Sequence, residues 1–267
     1  MKFRPFKRAR KQFGILLPEL DRLRRRTRDV VVISYPKSGR TWVRFMLNTA
    51  NVKLLYDHAG AENRKALTFD QIQGEPGSWA RWKIIFVFRD PRDTVVSSYF
   101  EATKRLKAQY RFDGTLAEFL RDPRYGIEKI ARYNLLWLDS ANLFKAFLPI
   151  SYEQLHEGGR AELPTVIRFA TGREPRPIVV ERAWRAGGFD QMRQVELSVG
   201  PRMNENLKLG GGRPDDPDSM KTRRGKVGGW TDYFDDADKA HAEDTLSRLD
   251  YFARSKAALT AEWRLAT

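Results

Sequence analysis

The chain has 267 residues, a size that suits one large domain, and its 41% hydrophobic content with 7 Trp, 9 Tyr and 16 Phe is ample for a buried core. It contains no cysteine, which excludes disulfides, zinc–thiolate sites and cysteine nucleophiles and fits a reducing, cytoplasmic setting. The formal net charge of +15 calls for an anionic partner, and no apolar run approaches the ~20 residues that span a bilayer.

The charge is unevenly placed. Residues 1–28 hold eleven Lys/Arg against Glu19 and Asp21, a net of +9 that leaves +6 for the rest. We read 1–28 as a basic arm and 29–267 as the folded domain. The arm's apolar patch, Phe13 to Leu17, is too short for a secretory core. Two readings stand for it: a solvated tail with a docking helix presenting Leu16, Leu20 and Leu23, or a peripheral contact with a membrane surface or polyanion.

Val30 to Tyr35 is a β-branched apolar run suited to a buried parallel strand. It ends at Pro36-Lys37-Ser38-Gly39, a turn, after which Trp42, Phe45, Met46 and Thr49 recur at helical spacing. Such a strand–turn–helix aims backbone N–H groups at one point, where the helix dipole favours negative charge. Gly39 permits close approach, Lys37 supplies a charge, and Ser38 and Thr41 add hydroxyls. The Gly-Lys-Ser/Thr order of a Walker A loop is absent.

A second strand, Lys83 to Phe88, runs into Asp90-Pro91-Arg92-Asp93, a helix start with an N-cap, a first-turn proline and an acid three residues on. Arg89 at the strand end and Ser97, eight residues later, can hold a second anion, the arginine by a bidentate fork. Helices are expected at 115–121 and 126–144. Phe147 to Ser151 reads as a third strand, leading to Tyr152-Glu153 and a helix near 161–171. From about 200 to 229, Gly, Pro, Asp and Arg predominate, the composition of a long mobile loop. Its Arg223-Arg224-Gly225-Lys226 segment can fold over a polyanion. Helix returns in the C-terminal segment. The sum is a three-layer α/β domain with a mainly parallel sheet.

These motifs together resemble the sulfotransferases that use 3′-phosphoadenosine 5′-phosphosulfate (PAPS). The family's phosphosulfate loop reads Tyr-Pro-Lys-Ser-Gly-Thr-Thr-Trp, and Tyr35 to Trp42 departs from it only at Arg40. Its 3′-phosphate motif, an Arg followed eight positions on by a Ser, is similar to Arg89 through Ser97. Its late Arg-Lys-Gly-x-x-Gly-Asp-Trp is similar to Arg223 through Trp230, and Tyr152 and Phe189 fall where the family reaches the adenine. Gly187 and Gly188 stand where hydroxyl residues are usual.

The resemblance covers about residues 30–234. It implies a PAPS-binding strand–loop–helix in which Lys37, Ser38, Gly39, Arg40, Thr41 and Trp42 hold the phosphosulfate. Arg89, Ser97, Arg223, Arg224 and Gly225 hold the 3′-phosphate, and Trp42 and Phe189 sandwich the base. It also implies in-line displacement at sulfur without a metal, with Lys37 and His58 catalytic. His58 is the one histidine between the first two motifs and so the implied general base. The family's preceding lysine is replaced by Tyr56, and Asp57 either orients His58 or makes a turn. The expected partner is a hydroxyl acceptor: a glycan, glycolipid, phenol or hydroxylated metabolite. A P-loop kinase or NTPase is the first alternative, weakened by the missing Walker order and magnesium aspartate. A non-enzymatic basic module that binds nucleic acid or membrane is the second; no nucleic-acid-binding motif supports a specific nucleic-acid partner.

Overall fold

The computed structural model describes residues 27, 29–200, 203–204 and 206–261. The basic arm, with Leu16, Leu20 and Leu23, therefore lies outside the described residues. Four strands form one all-parallel sheet: β1 (Val30–Ile33), β2 (Leu55–Asp57), β3 (Lys83–Phe88) and β4 (Ala146–Ser151), in the order β2-β1-β3-β4. Such an order forms because each connection crosses over through a helix and must pack it back onto the sheet.

The period-2 alternation of the strands divides the core in two. Val31, Ile33, Ile84, Phe86 and Phe88 face one cluster, packed with α2 (Pro91–Lys104), α4 (Ile127–Asp139), α8 (Asp236–Arg248) and α9 (Tyr251–Thr260). Val30, Val32, Ile85 and Val87 face the other, packed with α1 (Arg40–Thr49), α5 (Tyr152–Thr171) and α6 (Pro177–Ala186). Burial on both faces explains why these strands are continuously apolar. The remaining helices are α3 (Leu116–Arg121) and α7 (Phe189–Val199). The three-layer α/β reading holds. No helix among the described residues is long and apolar enough to cross a membrane.

Several boundaries differ from the expectations, each for a physical reason. The first strand stops at Ile33 instead of Tyr35, because the Ser34 carbonyl accepts a hydrogen bond from His58 Nδ1 in place of a ladder partner. The expected helix 126–144 ends at Asp139 and closes with a separate 3₁₀ turn, Ala141–Leu143. The helix expected near 161–171 begins nine residues earlier, at Tyr152. A Ser151–Gln154 capping box starts it, and it runs through Gly158, Gly159 and Pro164, which read as breakers in the sequence. Gly159 is required by packing, since a Cβ there would sit 2.3 Å from the Trp184 ring. The sequence reading missed β2, α6 and α7.

The segment 200–229, which its composition suggested is a long loop, holds local structure in its described residues. It contains an antiparallel pair, β5 (Met203–Asn204) with β6 (Leu209–Gly210), a bridge from Arg213 to Asp216 and a 3₁₀ turn at Pro217–Ser219. Two buried carboxylates then tie it down. Glu196 on α7 accepts from the Lys221 and Thr222 amides at 2.7 and 2.8 Å and from the Thr222 hydroxyl at 2.5 Å. Asp93 on α2 accepts from the Gly228 and Trp230 amides at 2.8 and 2.9 Å.

Candidate functional site

The chain leaves β1 toward one side of the sheet to build β2, then returns to the other side for β3. The loops at the carboxyl ends of β1 and β3 therefore diverge, and a crevice opens between them, the place where open α/β sheets bind ligands. A cleft of 670 Å³ lies there. Every candidate site residue from the sequence lines it except Ser38, which is fully buried behind the turn.

The loop after β1 turns through Lys37 at φ 70° and Gly39 at φ 95°. A non-glycine residue in the left-handed region is uncommon and marks a constrained turn. Gly39 is required twice over: by its φ, and because a Cβ would lie 2.6 Å from Tyr152 Cδ2. Gly39 is also the N-cap of α1, and no side chain caps it. The Arg40 and Thr41 N–H groups of the first turn, which no helical carbonyl can reach, belong to residues that line the cleft. Ser38 Oγ is buried without a partner beside them.

Across the cleft, Arg89 lies with its guanidinium 4.2 Å from the Tyr152 ring centre and 3.3 Å from Asp93. Its Nη2 donates to the Lys226 carbonyl at 2.8 Å, and its buried Nε has no partner. Ser97 follows one turn beyond Asp93 on the same face of α2. Of the N-cap and the acid three residues on, Asp90 caps α2, accepting from the Arg92 amide at 2.9 Å, while Asp93 anchors the late loop.

That loop closes the cleft. Gly225 has φ 63°, and a Cβ there would sit 2.5 Å from Phe189 Cδ2, so backbone and ring meet directly. The Gly225 carbonyl accepts from His156 Nε2 at 3.1 Å. Arg223 stacks on Phe100 at 4.3 Å and donates to the Tyr233 hydroxyl, and its buried Nε is unpartnered. Arg224 pairs with Asp232 at 2.8 Å. Trp42 packs on Tyr152, donating its indole N–H to the Gly187 carbonyl at 2.8 Å. Gly187 is small for packing reasons, since a Cβ would lie 2.6 Å from Met46 Cγ.

His58 follows β2. Its Nδ1 donates to the Ser34 carbonyl at 2.8 Å and its Nε2 accepts from Arg40 Nη2 at 2.5 Å. Burial, then the Arg40 charge, push the imidazole down to about 3, so it is neutral at physiological pH. Asp57 does not touch the ring: its Oδ1 accepts from the Ala59 amide at 2.7 Å and makes the turn.

Among the charged residues of the cleft that the sequence reading missed are Glu101 and Lys221, with Arg105 beside them. Burial raises the Glu101 carboxyl, but Lys37 at 3.7 Å, Arg105 and Lys221 outweigh it and hold it at about 2. Burial lowers the Lys37 amine to about 8, and lowers that of Lys221, with Arg105 and Lys37 repelling it, to about 7. Glu101 and Arg105 had a signal in the sequence: Arg89, Asp93, Ser97, Glu101 and Arg105 recur every four residues, and the middle three share one face of α2. Lys221 had none.

A family model described as the sulfotransferase domain matches residues 76–251, a span that starts after the loop Tyr35 to Trp42. A flavonol 3-sulfotransferase of Flaveria bidentis is 23% identical, over 78% of this chain and 77% of the relative. A crystal structure of a mouse sulfotransferase complexed with PAP is similar with a TM-score of 0.61 at 16% identity, covering 87% of each chain. A retinol dehydratase in complex with androsterone and inactive cofactor PAP gives 0.54 at 17% identity, covering 82% of this chain and 80% of its own. At these identities the structural likeness is one of fold.

Proposed function

This chain belongs to the sulfotransferase family, and from that premise we propose that it transfers a sulfuryl group from PAPS to the hydroxyl of an acceptor molecule. The observation that carries the reading is the pair of anion sites facing each other at the carboxyl ends of β1 and β3. Buried, unpartnered donors line or back both: Ser38 Oγ and Arg40 Nη1 at the first, Arg89 Nε and Arg223 Nε at the second. Buried polar atoms without partners are costly, so groups of this kind fit a ligand with several negative charges at both ends.

When bound, the donor supplies the sulfuryl group and a phosphate as leaving group. Lys37 and the α1 amides hold the phosphosulfate end, and Lys37 takes up the negative charge that develops on the departing phosphate oxygen. Preorganised charge in a site of this depth is usually the largest catalytic contribution. Arg89, Ser97 and the segment Arg223 to Gly225 hold the 3′-phosphate, while Trp42, Tyr152 and Phe189 flank the adenine. His58, kept in its Nδ1–H form by the Ser34 carbonyl, takes the acceptor's hydroxyl proton on Nε2. The relatives' names speak of flavonols, androsterone and retinol, which supports a hydroxylated small molecule as the acceptor here.

The test is calorimetry with adenosine 3′,5′-bisphosphate against 5′-AMP. Charge-assisted hydrogen bonds contribute about 1.5–3 kcal/mol each, so loss of the Arg89 and Ser97 contacts predicts more than tenfold weaker binding of AMP. Equal affinities would sink the assignment. An acceptor screen with PAPS, read by the mass gain of one sulfate, then identifies the second substrate.

A further inference from the structure

His58 offers the cleft one nitrogen, and Arg40 occupies it. The Ser34 carbonyl can only accept, so Nδ1 carries the proton and Nε2 carries the lone pair. Arg40 Nη2 donates into that lone pair at 2.5 Å. A guanidinium has no lone pair to hand on, so an imidazole held this way cannot take a proton from an acceptor. Arg40 is at the same time incompletely satisfied, because its buried Nη1 has no partner. Its backbone is the first residue of α1, next to Gly39 and to the amides that favour an anion. One side chain thus stands between the lone pair of the base and the anion site.

Resting on the sulfuryl-transfer reading above, we propose that Arg40 is a positioning residue that couples occupation of the anion loop to release of the base. Without an anion its guanidinium ties up Nε2. With an anion on the α1 amides, the guanidinium turns to it through Nη1 and Nη2, and Nε2 is freed toward the acceptor. In the transfer that follows, the acceptor proton passes to Nε2 as the acceptor oxygen bonds to sulfur. The sulfur–bridging-oxygen bond breaks, and its electron pair stays on the phosphate.

The groups around the ring set the direction of the titration. Arg40 and Arg44 face it from α1 and Glu101 from α2, and the Tyr133 hydroxyl of α4 donates to the His58 carbonyl at 2.9 Å. Burial and Arg44 still lower the ring once the Arg40 charge is withdrawn, but the Ser34 hydrogen bond and Glu101, which raise it, are then opposed by one charge fewer, so the midpoint of His58 rises when the anion binds.

The experiment is ¹⁵N NMR of the histidine rings in the full chain. It has only three to resolve, assigned with His156→Gln and His241→Gln. In the free protein His58 stays neutral and Nδ1-protonated across about pH 5–8. Saturation with adenosine 3′,5′-bisphosphate, verified by calorimetry on the same sample, moves the Nε2 resonance and raises the midpoint by at least about one pH unit. Arg40→Met shows the raised midpoint without ligand, and Arg40→Lys restores part of the ligand dependence. Bisphosphate binding with an unmoved His58 overturns the coupling while leaving the donor assignment intact, as does an Arg40→Met spectrum identical to wild type. Failure of the bisphosphate to bind removes the donor assignment and this proposal with it. The wild-type titration needs no variant, so the proposal stays decidable if Arg40→Met does not fold.

Discussion

At the scale of single residues, the site depends on a few positions whose chemistry has no substitute. His58→Ala is expected to lower single-turnover transfer by about 10²–10⁴-fold, the usual contribution of a general base, with bisphosphate affinity close to wild type. A rate within about threefold of wild type would mean that another group takes the proton. Lys37 makes a pH prediction. Its amine is lowered to about 8 in the free protein, and a bound anion raises it again, so binding takes up a proton. The Lys37 contribution to bisphosphate affinity should therefore be level below about pH 8 and fall above it, by up to about tenfold per unit. Calorimetry in two buffers of different ionisation enthalpy checks the proton uptake; Lys37→Met should abolish it. Gly39→Ala combines a left-handed φ of 95° with a Cβ 2.6 Å from Tyr152 Cδ2. The backbone strain alone costs about 1–2 kcal/mol. The displaced Tyr152 ring carries Arg89 on its face, so bisphosphate binding should weaken along with thermal stability.

At the scale of elements, α2 is the axis of the site. Its four-residue stripe runs from Asp93 through Ser97 and Glu101, continuing from Arg89 at the strand end to Arg105 just past the helix, and meets the late loop, the second anion site and Lys37 in turn. Asp93 links two of these, since it pairs with Arg89 and accepts from the Gly228 and Trp230 amides. Asp93→Ala leaves a part-buried arginine and two part-buried amides without this partner, a loss of at most about 3–5 kcal/mol by analogy with broken buried pairs. The expected outcome is a lowered Tm, new proteolytic cleavage between 221 and 230, and weakened bisphosphate binding that high ligand concentration recovers. Cleavage as slow as wild type would show that Glu196 alone secures the loop.

At the scale of the whole molecule, the net charge of +15 should steer an anionic nucleotide into the crevice, so its association rate should fall as ionic strength rises. Most of that charge belongs to residues 1–28. Their removal should leave turnover of a small soluble acceptor within about twofold, because the proposed site lies at the carboxyl ends of β1 and β3. If the arm makes a peripheral membrane contact, its loss should weaken binding to vesicles containing phosphatidylserine and flatten the salt dependence. Unchanged vesicle binding would leave the arm as a solvated tail. Loss of folded protein would identify it as a docking element.

The sequence by itself determined what depends on local chemistry: three apolar strands, the turn Pro36 to Gly39 before a helix, the proline-led start of α2, and the order of the motifs. These are set by side-chain period, by glycine at positive φ and by capping, all of which act within a few residues. Only the tertiary structure decided which separate groups meet. The three-residue β2 is held by pairing with β1 more than by its own composition, and α5 runs through Gly159 and Pro164 because Trp184 packs on one and the sheet supports the helix. Residues 221–230 are tied down by Glu196 and Asp93, carboxylates 25 and 135 residues from the amides they accept from, whose effect no local pattern reveals. The contact of Arg40 with His58 is of the same kind: burial of two side chains eighteen residues apart places one on the other's lone pair.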